Sequence, residues 1–200
     1  MSSAERMPEA AALAGRRKLF PAPAGFAAMI MLLALLAGCG DNLFPSGEDQ
    51  RPAVQAGSTG AAVGQIAPAF SVPDTSGSPV TLAGALAGRK GIVLYFTMWC
   101  PICDTHMSHL RSAVAPRFPD VGFYLVDYVS GSVTNARDAA SASGYLGSGF
   151  TVLADTGQAL LGGYQATMGT TVVIDSGGIV RMNEDFRDGT RLLGVLAGLP

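Results

Sequence analysis

The sequence predicts an α/β domain in which a mixed β-sheet is covered by helices on both faces. Two runs carry that prediction, Gly91–Thr97 (GIVLYFT) and Val121–Asp127 (VGFYLVD), both nearly continuous in apolar strand formers. A strand exposed on one face would alternate apolar and polar residues, so such runs fit strands buried on both faces. Helical segments follow each run, and a hairpin and a helix follow those, which is the order of an α/β domain.

The elements can be read along the chain. Residues 69–72 and 79–82 are short extended segments around the turn-rich residues 74–77 (DTSG), an N-terminal β-hairpin. After Gly91–Thr97 a helix is expected over residues 101–114, and after Val121–Asp127 another over 133–143. Thr170–Asp175 (TTVVID) and residues 179–182 flank Ser176, Gly177 and Gly178, a second hairpin signal. A last helix is expected over residues 190–199, with Asp188 or Thr190 as its cap.

The first forty residues read as an address. Arg16, Arg17 and Lys18 precede an apolar core over residues 25–37 (GFAAMIMLLALLA), the pattern of a secretory signal. Counted over residues 19–38 the stretch reaches the ~20 residues of a membrane span. An uncleaved anchor is therefore the competing reading, and Pro21 and Pro23 weaken it because each lacks a backbone donor. The stretch ends in Leu36, Ala37, Gly38 and Cys39, which resembles the lipobox of bacterial lipoproteins. That resemblance implies that Cys39 is acylated and becomes the first residue of the mature chain. Several acyl chains would hold it at a bilayer, since one alone binds marginally. Residues 40–65, rich in Gly, Ser, Ala and Pro and without periodicity, read as a flexible tether with a reach of ~25–30 Å. The expected organisation is a lipoprotein signal peptide over 1–38, a lipidated tether over 39–65 and one domain over 66–200, on the extracytoplasmic face of a bacterial membrane.

Charge and cysteine content narrow the chemistry. The net charge is −2, with lysine only at 18 and 90, so no basic stripe exists to face phosphates and nucleic acid is excluded as a partner. Removing residues 1–38 takes four basic and two acidic residues and leaves a net −4. Three cysteines, with only Cys100 and Cys103 close together, are no disulfide framework. With Cys39 lipidated, the remaining pair faces an oxidising space and is either bonded or redox-active.

Cys100-Pro101-Ile102-Cys103 follows the first buried strand and opens a helix. A helix N-terminus carries free N–H groups and about half a positive charge, and so favours thiolate over thiol. The i, i+3 spacing brings both sulfurs within bonding reach, and Pro101 at the first helical position loses no hydrogen bond. Cys100 is then the attacking thiolate and Cys103 the resolving thiol. A passive disulfide is the alternative, but one closing so small a loop removes little chain entropy.

Trp99-Cys100-Pro101-Ile102-Cys103 after GIVLYFT resembles the active site of the redoxin (AhpC/TSA) branch of the thioredoxin-like superfamily. Residues 64–70 (GQIAPAF) with 80–82 (VTL) resemble its N-terminal hairpin; residues 152–155 (VLAD), Tyr164 and residues 170–178 (TTVVIDSGG) resemble its later strands. The likeness covers about residues 64–199 and is greatest to membrane-tethered TlpA-like thiol–disulfide oxidoreductases. It implies a thioredoxin-like fold and a protein-disulfide reductase without cofactor. The implied partners are disulfide-containing exported proteins and a membrane electron donor. Trp99 would shield the thiolate, with Met168 and Gly169 lining the opposite wall.

Three departures from the family pattern stand out. Gly169 occupies the place of a cis-proline, Leu94 the place of an acidic or amide residue on the strand, and Ser108 the place of a helix-kinking proline. Two other chemistries compete. Cys100, Cys103 and His106 form a weak candidate for a soft metal such as Cu(I), against the reading of His106 and His109 as solvated helix residues. A thiol peroxidase would match Thr97 and Cys100, but Val93 stands where its proline would be, and Met168 and Thr170 flank Gly169 without its arginine. Thr97 then reads as a strand-end residue, and Asp155 and Asp175 as turn residues. A non-enzymatic binding module would have no need of two cysteines at a helix start.

Overall fold

A computed structural model describes residues 54–55 and 57–200. The expected signal peptide, Cys39 and most of the expected tether lie outside the described residues. Five strands form the main sheet: β3 (Gly91–Thr97), β4 (Val121–Asp127), β5 (Thr151–Ala154), β6 (Thr170–Asp175) and β7 (Val180–Asp185). Their order is β5-β4-β3-β6-β7. β3 runs parallel to β4 and antiparallel to β6; β4 and β5 are parallel, β6 and β7 antiparallel. The separate hairpin joins β1 (Ser71–Pro73) to β2 (Pro79–Thr81). The predicted thioredoxin-like architecture, a mixed sheet between helices with an N-terminal hairpin, is what the chain forms.

The apolar runs occupy the middle of the sheet for the reason the sequence suggested. Every residue of β3 and β4 is buried, and alternate side chains feed two cores. Ile92, Leu94 and Phe96 join the core under the hairpin, with Leu160 and Tyr164. Val93 and Tyr95 join Cys103, Met107, Leu110, Leu192 and Leu196 in the core on the other face. Helix α2 (Pro101–His109) and helix α5 (Thr190–Ala197) thus pack on the Tyr95 face.

Several boundaries differ from expectation. The helix after β3 is α-helical only to His109; a π-turn over Leu110–Val114 and a 3₁₀ turn over Ala115–Arg117 follow. Ser112 Oγ donates to the Ser108 carbonyl at 2.8 Å, a back-bond that competes with the regular ladder, and Pro116 ends it. Helix α3 (Val133–Ala142) lies where predicted, capped by Ser132. Two short helices had too little periodicity to be read: α1 (Leu82–Leu86), capped by Thr81, and α4 (Ala159–Gly163). Gly189, not Asp188 or Thr190, is the N-cap residue of α5; Asp188 Oδ1 accepts the Thr190 N–H at 2.9 Å instead. Residues 58–65, expected as tether, are hydrogen-bonded into the domain. Gly64 N–H donates to the Val180 carbonyl at 2.9 Å and Asn183 Nδ2 to the Ala61 carbonyl at 2.9 Å. A coil-like composition says nothing about a neighbouring strand edge with groups to satisfy, and that edge orders the segment.

Candidate active site

Strand β3 ends at Thr97 and delivers the chain to the start of α2. Between them Trp99 holds φ of 60°, a left-handed conformation uncommon for a bulky residue. Two bonds keep it there: its N–H donates to Thr97 Oγ1 at 3.0 Å and its Nε1–H to Asp127 Oδ2 at 2.8 Å. Asp127, 2% exposed, also accepts from Val129 N–H and from the N–H and hydroxyl of Ser130. This carboxylate at the C-terminal end of β4 anchors the loop that presents the cysteines.

Cys100 is the N-cap of α2 and Pro101 its first helical residue. The Cys103 N–H donates to Cys100 Sγ at 3.2 Å, which gives that sulfur one of the orphan donors of the helix start. Cys100 is partly exposed and Cys103 buried, both are free thiols, and their Sγ atoms are 2.7 Å apart. Burial pushes the Cys103 thiol up. Hydrogen bonding to the Cys100 side chain, to the backbone at Met98 and Cys100 and to the Thr97 hydroxyl outweighs it and holds Cys103 below the ordinary thiol value. Thr97 therefore does more than end a strand.

Met168 and Gly169 form the facing wall. Met168 Sδ is 3.4 Å from Cys100 Sγ. Gly169 has φ of 85° and no cis peptide bond occurs among the described residues. Its N–H donates to the Phe96 carbonyl at 2.9 Å and its carbonyl accepts from Phe186 N–H at 2.8 Å, so it stitches β3 to the segment after β7. Leu94 points to the opposite core.

His106 does not complete a metal set. Its Nδ1 lies 3.0 Å from the Tyr95 hydroxyl, and among the described residues no three His, Cys, Asp or Glu side chains are grouped to hold a metal ion. Burial, and then His109, lower its pKa below the ordinary imidazole value. His109 packs against Phe186 with ring centroids 5.9 Å apart. Asp155 and Asp175 serve turns: Asp155 accepts from Leu160 N–H and Leu161 N–H, Asp175 from Gly177 N–H, Ile179 N–H and Arg181.

Sequence reasoning missed Tyr95, Asp127 and Tyr145 as parts of this site. Tyr95 stands two residues from Thr97 on β3, so period two alone puts both on the face that α2 covers. Asp127 is the single charge closing an apolar strand, at the carboxyl end of parallel strands where α/β sites gather. Tyr145, whose hydroxyl donates to Asp104 Oδ1 at 3.0 Å and whose ring lies 6.3 Å from that of Trp99, carried no local signal.

Comparison with known proteins bears on the fold and the family. No curated protein matches the chain. Among solved structures, MTB dsbF, determined in mixed oxidised and reduced forms, is 25% identical with a TM-score of 0.52, over 66% of this chain and 95% of that one. Peroxidoxin BcpB from Mycobacterium tuberculosis is 21% identical with a TM-score of 0.57, over 69% and 97%. A thioredoxin-like protein from Aeropyrum pernix is 13% identical with a TM-score of 0.52, over 88% and 99%. The latter two likenesses concern the fold. Residues 63–183 match the AhpC/TSA family. With a thioredoxin-like sheet, two free cysteines at the helix that follows its central strand and that match over most of the domain, the chain belongs to the AhpC/TSA family, the redoxin branch of the thioredoxin-like superfamily.

Proposed function

We propose that this protein is a lipid-anchored extracytoplasmic thiol–disulfide oxidoreductase that reduces disulfides of exported proteins through Cys100 and Cys103. One observation carries the reading: a partly exposed Cys100 Sγ at a helix N-cap with a buried Cys103 Sγ 2.7 Å behind it. The accessible sulfur meets the substrate and the hidden one meets only its partner. Met98, Ile102 and Met168 leave apolar side chains exposed beside Cys100, a surface suited to polypeptide.

In the reduced protein the Cys100 thiolate attacks one sulfur of a substrate disulfide. A mixed disulfide forms, and the departing substrate sulfur takes up a proton. Cys103, as thiolate, then attacks Cys100 Sγ, forming the Cys100–Cys103 disulfide and releasing the second substrate thiol. Two electrons leave the protein per turnover, and a membrane dithiol donor restores them. Anchoring at Cys39 rests on the sequence Leu36 to Cys39 directly after an apolar core.

Cys103→Ser should trap a mixed disulfide with exported proteins, whereas Cys100→Ser should trap none and abolish insulin reduction. Failure of Cys103→Ser to form any mixed disulfide would sink the reading. The potential fixes the direction: a value near thioredoxin's, about −270 mV, supports reduction, and one near about −120 mV makes the protein an oxidant. Thiol peroxidase is the second reading, favoured by the peroxidoxin likeness of the fold; rapid peroxide consumption by the dithiol form would promote it.

A further inference from the structure

The second step of the exchange requires Cys103 to lose a proton within the core, where it is 1% exposed. Asp127 is occupied, accepting four hydrogen bonds from Trp99, Val129 and Ser130. Leu94 lies in the other core. Near Cys103 on its own side of the sheet are a tyrosine and a histidine that bond to each other. Tyr95, also 1% exposed, shares the buried cluster with Cys103. Its hydroxyl is 3.0 Å from Nδ1 of His106, which sits three residues after Cys103, on the same face of α2, and is partly exposed. Phe186 holds both rings, edge-on to Tyr95 at 6.2 Å and tilted against His106 at 4.6 Å. Gly169 leaves the space beside them: a Cβ there would stand 3.9 Å from His106 Nδ1.

We propose that Tyr95 and His106 conduct the Cys103 proton to solvent when Cys103 resolves the mixed disulfide, a role that rests on the oxidoreductase reading above. The Cys103 thiol passes its proton to the Tyr95 oxygen as Tyr95 passes its own to His106 Nδ1. His106, now imidazolium, gives up the Nε2 proton to water and returns to the other tautomer. The Cys103 thiolate forms the bond to Cys100 Sγ, the bond from Cys100 to the substrate sulfur breaks, and that sulfur is protonated by water. No proton or electron is left over and no further reactant is needed.

The charges around the pair suit this. Burial first, then the thiols of Cys103 and Cys100, push the Tyr95 hydroxyl far above its ordinary value, so it relays a proton without ionising. Burial first, then His109, keep His106 neutral near pH 7, with a lone pair to accept. The titratable groups around His106 are Tyr95 from β3, Cys103 and His109 from its own helix, and Asp188, after β7, acting on His109.

The test separates the two steps in one experiment. The reduced protein is mixed with excess dithionitrobenzoate in a stopped-flow instrument. The first thionitrobenzoate released reports attack by Cys100 and the second reports resolution by Cys103. In Tyr95→Phe and in His106→Gln the second release should slow at least about tenfold relative to the first at pH 7, as expected on loss of acid–base help. In the wild type the second release should fall as pH drops through an inflection below 6.5, the ordinary histidine value, and that inflection should be missing in His106→Gln. An unchanged ratio of the two rates in both variants, or the same inflection in His106→Gln, overturns the proton path. Absence of any first release from wild type overturns the oxidoreductase reading itself, and the path with it. Thermal melting of both variants before mixing confirms that they are folded.

Discussion

Gly169 is the place where the family likeness and the structure can be set against each other by mutation. The likeness puts a cis-proline there; the structure has a buried glycine at φ of 85° whose N–H donates to Phe96. Replacement by alanine adds a Cβ that meets only His106 Nδ1 at 3.9 Å, an ordinary contact, so packing contributes nothing to the cost. What remains is the backbone: the left-handed region costs an L-residue about 1–2 kcal/mol, and Gly169→Ala should lose that much. Gly169→Pro should lose more. Its ring demands φ near −65°, a swing of roughly 150° from the present value. It also deletes the donor to the Phe96 carbonyl, worth about 1–3 kcal/mol when the acceptor stays buried. The total should be about 3 kcal/mol or more. Urea unfolding, followed by the fluorescence of Trp99, the single tryptophan, reads both losses. A proline variant as stable as wild type would refute the argument, because the chain would then accept the cis-proline backbone without the Gly169–Phe96 bond.

Three further outcomes are expected. Asp127→Asn offers one acceptor oxygen where four donors converge, so it should cost about 2 kcal/mol and shift Trp99 emission to the red as the indole is released; unchanged emission would contradict its anchoring role. At alkaline pH stability should fall. Burial raises Tyr95, Tyr164 and Tyr145, the last to about 12 with help from Asp104, so above the ordinary value of 10.0 the unfolded chain gives up these protons first. Cys103, held low, contributes with the opposite sign, but that gain levels off once the unfolded thiol is fully ionised near about pH 10, and above it the tyrosines decide the slope. Urea midpoints between pH 10 and 11 check the sign, and Tyr164→Phe should flatten the fall while losing about 1 kcal/mol at neutral pH with the bond to the Pro68 carbonyl. Cys39→Ser should abolish palmitate labelling and move the protein out of the membrane fraction; retention there would favour the uncleaved anchor.

The sheet's centre, the two cysteines and their placement were legible along the chain, because each of those signals is local. A continuous apolar run needs no partner to announce a strand buried on both faces, and Cys-Pro-x-Cys needs only the strand before it and the helix after it to define a nucleophile and its resolving thiol. Gly169 was singled out too, though as a missing proline and not as the left-handed link between Phe96 and Phe186. Met168 was expected on the wall facing the cysteines from the family likeness, but the contacts that complete the site mostly join residues far apart in the chain. Asp127 meets Trp99 across 28 positions, Met168 meets Cys100 across 68, and Phe186 holds the Tyr95 and His106 rings from beyond β7. Periodicity reports which face a side chain takes, but not what the opposing element brings to it. Tyr95 read as one more apolar-run residue, and only the packing of α2 onto β3 made it the neighbour of His106 and Cys103. The tether boundary was misjudged for the same reason: residues 58–65 look like coil in isolation, and it is the edge presented by Val180 and Asn183 that gives them structure.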